Sequence, residues 1–115
     1  MQPYLIFYSQ NELNLENIKD ECIKEQWMAV ASYDIDSPKI IYFDIFSTAK
    51  DFIKRNFNKS EMIGLINIPE DEFKRLKEKH SFECLSFPKK INNINIEVIE
   101  IQTEIELRVH YKKVC

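Results

Sequence analysis

Glycine is nearly absent from this chain of 115 residues, in which Gly64 is the single one. The loops that cradle phosphates in P-loop and dinucleotide-binding proteins need several glycines at fixed spacing. The nucleophile elbow of many serine hydrolases needs a G-x-S-x-G motif, which is also absent. The absence of these motifs excludes a glycine-rich phosphate-binding loop and a serine nucleophile elbow. The sequence therefore favours a protein without catalytic residues, and it leaves open an enzyme that carries no such motif.

Cysteines are few, and the three that occur, Cys22, Cys84 and Cys115, lie far apart. A disulfide scaffold would carry a denser, even-numbered set, and a zinc site would carry C-x-x-C pairs. We therefore expect reduced thiols in a cytoplasmic protein, with no metal and no other cofactor. His80 and Cys84 have a spacing typical of metal ligands, but two residues do not complete a tetrahedral site. A position at a helix end is the simpler role for His80.

Long hydrophobic runs are missing as well, since none approaches the roughly 20 residues needed to cross a bilayer. The first ten residues lack the basic region and the long apolar region of a signal peptide. We therefore expect a protein that does not contact a membrane.

The net charge is -3, and it is unevenly distributed along the chain. Residues 1–47 carry eight acidic and three basic side chains, whereas residues 48–90 carry seven acidic and ten basic ones. Such an asymmetry can steer a charged partner towards one side of a protein.

Hydrophobic periodicity predicts a single α+β domain over residues 1–115, with a mainly antiparallel sheet and three helices. Strands are predicted at 4–9, 28–34, 39–46, 62–68 and 83–87, and residues 94–114 are rich in strand-forming residues. Helices are predicted after Asn14, after a cap at Ser47 or Thr48, and after Pro69. The order is β-α-β-β-α-β-α-β-β, and its first six elements follow the order of ferredoxin-like folds.

The clearest element boundary is the helix that follows Pro69. Three acids occupy its first turn, Glu70, Asp71 and Glu72, and basic residues lie near its end, an order that matches the helix macrodipole. The strand before it, residues 62–68, is almost continuously apolar, which predicts burial on both faces.

In the C-terminal stretch from Ile99 to Tyr111, odd positions hold Ile, Thr, Leu, Val or Tyr and even positions hold Glu, Gln, Arg or His. The apolar positions shift by one at Val98–Ile99, and such a slip moves side chains to the other face of a strand. A β-bulge there would give one long bent strand. A hairpin with a turn near residues 102–104 is the alternative, although no typical turn residue occurs there.

Six charged or titratable residues between positions 97 and 110 are the predicted binding site for a partner protein. The residues are Glu97, Glu100, Glu104, Glu106, Arg108 and His110. An acidic strand face can dock on a basic surface, for example by covering a cationic active site. The alternative is a solvated sheet edge whose charges prevent aggregation.

Two other groups of residues are candidate sites. Asp34, Asp36 and Asp44 are hard oxygen ligands that could surround a divalent cation, but aspartate beside proline is also typical of turns. Tyrosines 4, 8, 33 and 42 on strands could stack on RNA bases, with Lys50, Lys54, Arg55 and Lys59 as a basic helix face. The negative net charge argues against nucleic acid.

The sequence thus favours a non-catalytic protein-binding module. More narrowly, it favours an inhibitor of the immunity or antitoxin type that masks a basic site on its target. The alternative is a ferredoxin-like domain that binds RNA or a small ligand, and a minimal metal-dependent hydrolase is a third hypothesis. The sequence does not indicate an oligomeric state.

Overall fold

The computed structural model describes residues 3–9, 28–34, 36–57, 62–91, 94–99 and 108–113. The strands are β1 (Tyr4–Ser9), β2 (Met28–Ser32), β3 (Ile40–Phe43), β4 (Met62–Asn67), β5 (Phe82–Cys84), β6 (Asn95–Ile99) and β7 (Arg108–Lys113). The described part of the chain contains two helices, α1 (Phe46–Asn56) and α2 (Glu70–Lys79). The prediction of an α+β fold is confirmed.

One curled sheet contains the strands in the order β6-β2-β3-β1-β4-β7, and β5 pairs with β3 off this path. Only the pairing of β3 with β5 is parallel among those of the described strands, so the prediction of a mainly antiparallel sheet is confirmed. β5 lies along β3 from Ile40 to Tyr42, β2 meets β3 at Ile40, and β1 meets it at Tyr42 and Phe43. Because a strand has two hydrogen-bonding edges, β1 and β2 share one edge of β3 and β5 occupies the other.

Hydrophobic side chains cover both faces of this sheet. The cluster on the α2 side consists of Leu5, Val30, Ile40, Ile66, Ile68, Phe73, Leu76 and Ile99. The cluster on the α1 side consists of Ile6, Ala31, Ile41, Phe43, Ala49, Phe52, Ile53, Phe57, Ile63, Leu65 and Leu85. Consecutive strand residues, such as Leu5 and Ile6, enter opposite clusters because side chains alternate along a strand.

β4 shows this arrangement most clearly. Ile63, Gly64, Leu65 and Ile66 are all buried, which confirms that the apolar run needs cover on both faces. Gly64 lies opposite Phe7 of β1, in the middle of the longest antiparallel pairing among the described strands.

α1 buries one stripe of side chains against the sheet. Its buried residues are Ala49, Phe52 and Ile53, at helical spacing, and the buried Phe57 follows as C-cap. α1 therefore faces the sheet through this stripe.

The start of α1 differs from the prediction, which placed a Ser47 or Thr48 cap there. The N-cap is Ile45, and no side chain caps the helix. Phe46 instead enters the first turn and packs against Tyr4, with ring centroids 5.7 Å apart. The predicted strand over 39–46 is accordingly shorter, since β3 ends at Phe43.

α2 begins and ends where the sequence predicts. Pro69 is its N-cap and His80 its C-cap, and the His80 N–H donates to the Leu76 carbonyl at 2.9 Å. Phe73 and Leu76 are its buried apolar residues. Acidic residues in the first turn and lysines in the last turn stabilise the helix, because their charges are opposite to those of the helix dipole at the two ends.

The turn between β2 and β3 is built by Asp34. Its Oδ1 accepts the N–H groups of Asp36 at 3.1 Å and Ser37 at 3.2 Å. These bonds replace strand pairing, so β2 ends at Ser32, before the predicted limit at residue 34.

The two described strands of the C-terminal segment lie at opposite ends of the strand order. β6 pairs with β2 residue by residue up to Ile99, so the predicted bulge at Val98–Ile99 is not found there. Ile94 packs on the α1-side cluster and Ile99 belongs to the α2-side cluster. Both faces of the sheet are covered, so an apolar side chain can be buried on either face. The shift of the apolar positions at Val98–Ile99 therefore requires no bulge.

A register shift occurs in β7 instead. Val109 lies opposite Ile66 and Tyr111 opposite the adjacent Leu65, so His110 is the extra residue. β6 and β7 do not pair with each other within the described residues, which argues against a hairpin of these two strands. Residues 100–107, on which the single-strand alternative depends, lie outside the described residues.

The helix predicted after Asn14 falls within residues 10–27, which also lie outside the described residues. The ferredoxin-like order requires a helix between β1 and β2. That order therefore stays a prediction.

Candidate functional site

The residues predicted to bind a partner fall on separate parts of the sheet. Glu97 is half-buried in β6, opposite Val30, whereas Arg108 and His110 belong to β7 at the other end of the strand order. Glu100, Glu104 and Glu106 lie outside the described residues. The binding role of the six residues stays a prediction.

The residues considered as metal ligands have other contacts. Asp34 holds the β2–β3 turn through its Oδ1, and His80 is the C-cap of α2. Asp44 accepts a hydrogen bond from Cys84. In the described ranges, no three histidine, cysteine or acidic side chains are grouped so that they could hold a metal ion.

The described tyrosine side chains pack against the two clusters that cover the sheet. Tyr42 lies 4.8 Å from Phe73 between ring centroids, and Tyr4 packs against Phe46. Tyr33 is half-buried against the α1-side cluster. The side chain of Tyr8 is outside the described part. These contacts give no support to an RNA-stacking surface on the sheet.

Cys84, Asp44 and Tyr42 meet at the carboxyl ends of the parallel strands β3 and β5. The exposed Cys84 thiol donates to Asp44 Oδ2 at 3.4 Å, and Cys84 lies opposite Tyr42 in the strand register. Desolvation raises the pKa of Cys84, and the hydrogen bond to Asp44 and its negative charge raise it further. The pKa of Tyr42 is also raised, first by desolvation and then by the charges of Cys84 and Asp44.

This group is poorly suited to nucleophilic catalysis. A reactive cysteine has a lowered pKa because the thiolate is the nucleophile. Asp44 acts in the opposite direction and keeps the thiol protonated. The cluster therefore supports a structural or surface role for Cys84.

The most unusual surface feature is the segment from Leu85 to Ile91, which we call the Phe87 loop. Phe87 is 62% exposed, the highest value among the large hydrophobic residues whose side chains the structure describes. Leu85 at its start is buried, and Ile91 at its end packs on the α1-side cluster. An exposed phenylalanine on a loop with one buried and one half-buried end is a candidate contact residue.

Both ends of the Phe87 loop are held by hydrogen bonds. The Leu85 N–H donates to the Tyr42 carbonyl at 3.0 Å, which extends the pairing of β3 and β5. At the other end, Asn56 Nδ2 donates to the Lys89 carbonyl at 3.0 Å, and the Ile91 N–H donates to Asn56 Oδ1 at 2.7 Å.

The tip of the loop is also constrained. The Lys89 N–H donates to the Phe87 carbonyl at 3.0 Å, which closes a tight turn around Pro88. Pro88 has a fixed φ and restricts Phe87 to extended conformations. The loop therefore presents Phe87 on a restrained backbone.

Basic side chains surround this loop. Lys90 Nζ donates to the carbonyl of Arg55 at 2.9 Å, and Lys89 Nζ lies 4.9 Å from the centroid of the Tyr33 ring. Lys54 and Arg55 are exposed in the last turn of α1. The Phe87 loop and this last turn (residues 53–56) together contain four cationic residues and no acidic one.

The sequence pattern does not indicate this site, because it predicts a strand over 83–87 that includes Phe87. β5 ends at Cys84, and the chain then bends away from β3. Pro88 was the available signal, since a proline cannot donate the hydrogen bond that a continuing strand would need.

No helix in the described ranges is both long and apolar enough to cross a lipid bilayer. No family model, no curated protein and no solved structure matches this chain.

Proposed function

We propose that this protein is a non-catalytic binding module for another protein, acting in the cytoplasm. The observation that carries the proposal is Phe87, which is 62% exposed on a loop fixed at both ends. Burying a phenylalanine side chain from water is worth about 1.5–3 kcal/mol. A partner that covers Phe87 gains this free energy.

The restraint of the Phe87 loop adds to the argument. A flexible loop loses conformational entropy when it is ordered by binding, and this loss reduces affinity. The bonds from Asn56 and Tyr42 restrain the loop before any partner arrives. Aromatic residues presented in this way are typical centres of protein interfaces.

More narrowly, we propose an inhibitor of the immunity or antitoxin type, which acts by covering a functional surface of its target. In this proposal the residues 97–110 add an acidic contact to a basic part of the partner. The small size of the chain and its uneven distribution of acidic and basic residues support this narrower proposal by analogy.

The first test is affinity purification of the tagged full-length chain from its source cells. The wild-type protein is compared with Phe87→Ser and with Glu78→Ser, a change at an exposed residue of α2, which covers the other face of the sheet. We expect one stoichiometric partner to co-purify with wild type and Glu78→Ser. With Phe87→Ser the amount retained should fall by roughly tenfold or more, as for an interface hot spot.

Circular dichroism and thermal melting of the three proteins serve as the folding control, since both substituted side chains are exposed. A partner retained equally by all three proteins would contradict the role of Phe87. If no protein is retained in stoichiometric amount at low or high salt, the binding-module proposal is wrong.

A further inference from the structure

We propose that the Phe87 loop and the last turn of α1 form a cationic docking surface for an apolar pocket rimmed by carboxylates on the partner protein. This inference rests on the proposed function and adds the chemistry of the partner surface. It assigns the centre of the interface to Phe87 and its charged rim to Lys54, Arg55 and Lys90.

The two segments form one surface because direct bonds join them. Lys90 Nζ contacts the Arg55 carbonyl at 2.9 Å, and Asn56 bonds both Lys89 and Ile91. Residues distant in sequence thus bring their charges together. An apolar centre with a charged rim is the common layout of protein interfaces.

The positive charge of this surface favours a partner with an acidic surface. Lys54, Arg55 and Lys90 are exposed, and no acidic residue belongs to either segment. Lys90 uses one of its three N–H groups on Arg55, which leaves two for a partner. Carboxylates on the opposing surface would pair with these cations and speed association.

A protein fits this surface better than a nucleic acid does. Stacking on a single-stranded nucleic acid typically uses several aromatic residues along a basic groove. Here Phe87 is the single exposed aromatic residue among those whose side chains the structure describes. The net charge of the chain, -3, also disfavours the backbone of a polyanion.

This inference differs from the sequence-based expectation of a basic partner. That expectation depends on glutamates of residues 97–106, whereas the Phe87 loop lies in the basic middle of the chain. A partner could bear both signs of charge, but the part facing Phe87 is acidic in our proposal.

The experiment is site-specific photocrosslinking of the full-length protein in its source cells. The photoreactive residue p-benzoylphenylalanine is placed at position 87, and at position 78, an exposed position of α2, as control. We expect a single protein adduct from position 87 and none from position 78. Mass spectrometry of the adduct should locate the crosslink beside aspartate and glutamate residues of the partner.

Charge is tested with two matched double variants in the crosslinking protein. Lys54→Gln with Arg55→Gln removes two exposed cations from the proposed rim, and Lys74→Gln with Lys79→Gln removes two exposed cations from α2. The first pair should reduce the adduct yield at least severalfold, and the second should leave it unchanged.

Each other outcome overturns the inference in a distinct way. A nucleic-acid adduct at position 87, or an adduct yield that falls equally with both double variants, would contradict an acidic protein partner. If a stoichiometric partner co-purifies but never crosslinks to position 87, the proposed docking surface is wrong, and the proposed function as a binding module is not contradicted. The absence of any partner in both experiments overturns both.

Discussion

At the scale of single residues, Asn56 has a larger role than its position at a helix end indicates. Its side chain bonds the carbonyl groups of Phe52 and Lys89 at 3.0 Å each and the Ile91 N–H at 2.7 Å. It thereby joins the end of α1 to a loop more than 30 residues later in the sequence.

Asn56→Ala should therefore destabilise the protein by about 1–3 kcal/mol, since a part-buried N–H and a carbonyl lose their partner. The measurement is urea unfolding followed by circular dichroism. Lys54→Ala, an exposed change in the same turn, is the control and should stay within about 0.5 kcal/mol. Equal effects of the two substitutions would contradict the anchoring role of Asn56.

A second prediction at this scale concerns Cys84. Because its hydrogen bond to Asp44 and that negative charge raise the pKa of the thiol, Asp44→Asn should lower it and increase the thiolate fraction. We expect severalfold faster alkylation of Cys84 at pH 8, measured by mass spectrometry of its peptide. Unchanged alkylation would show that Asp44 does not influence the thiol.

The same pKa shift has a consequence for stability. The pKa of the folded thiol lies above its ordinary value of 9.0, so the folded state holds the proton more tightly than the unfolded state. This contribution is fully present below pH 9.0 and is lost as the pH rises through the folded pKa. In Asp44→Asn the alkaline loss of stability should be smaller.

At the scale of elements, α2 contains an ion pair between a buried glutamate and a half-buried arginine. Glu72 is 5% exposed, and its Oε1 accepts hydrogen bonds from the Nε of Arg75, at 3.0 Å, and from its Nη2. Residues three apart lie on the same side of a helix, which permits this contact. Arg75 thus compensates for the burial of a carboxylate.

Arg75→Ala should destabilise the protein by about 1–3 kcal/mol, because the buried carboxylate loses a charge-assisted partner. Lys74→Ala removes an exposed cation from the same turn and should have little effect. Thermal and urea unfolding of both variants make the comparison. A similar small effect of both would show that Glu72 remains well solvated.

At the scale of the whole molecule, the sheet lies between two clusters, with α1 on one face and α2 on the other. Leu5 and Ile6 are adjacent in β1, belong to opposite clusters and are both 0% exposed. A sheet with one solvated face would bury only one of such a pair.

Leu5→Ala and Ile6→Ala should each cost about 2–5 kcal/mol, the usual range for a large-to-small change in a core. Urea unfolding monitored by fluorescence and by circular dichroism should give one coincident transition for each variant. If only one substitution were costly, one face of the sheet would be less covered than the two clusters indicate.

The sequence by itself determined the elements whose local physics is strong. Pro69, the acids after it and the lysines before His80 set the limits of α2, because proline geometry and the helix dipole act over a few residues. The apolar run of residues 62–68 required burial on both faces of β4 in the same way.

Tertiary structure alone decided where the strands pair and which residues are exposed. Leu85 and Phe87 have the same period-two position in the sequence, yet Leu85 is buried and Phe87 exposed. The hydrogen bonds of Tyr42 with Leu85 and of Asn56 with Lys89 give these two residues different environments. Both bonds join residues more than 30 positions apart in the sequence. Local patterns cannot encode such contacts, because they depend on how distant segments meet when the sheet forms.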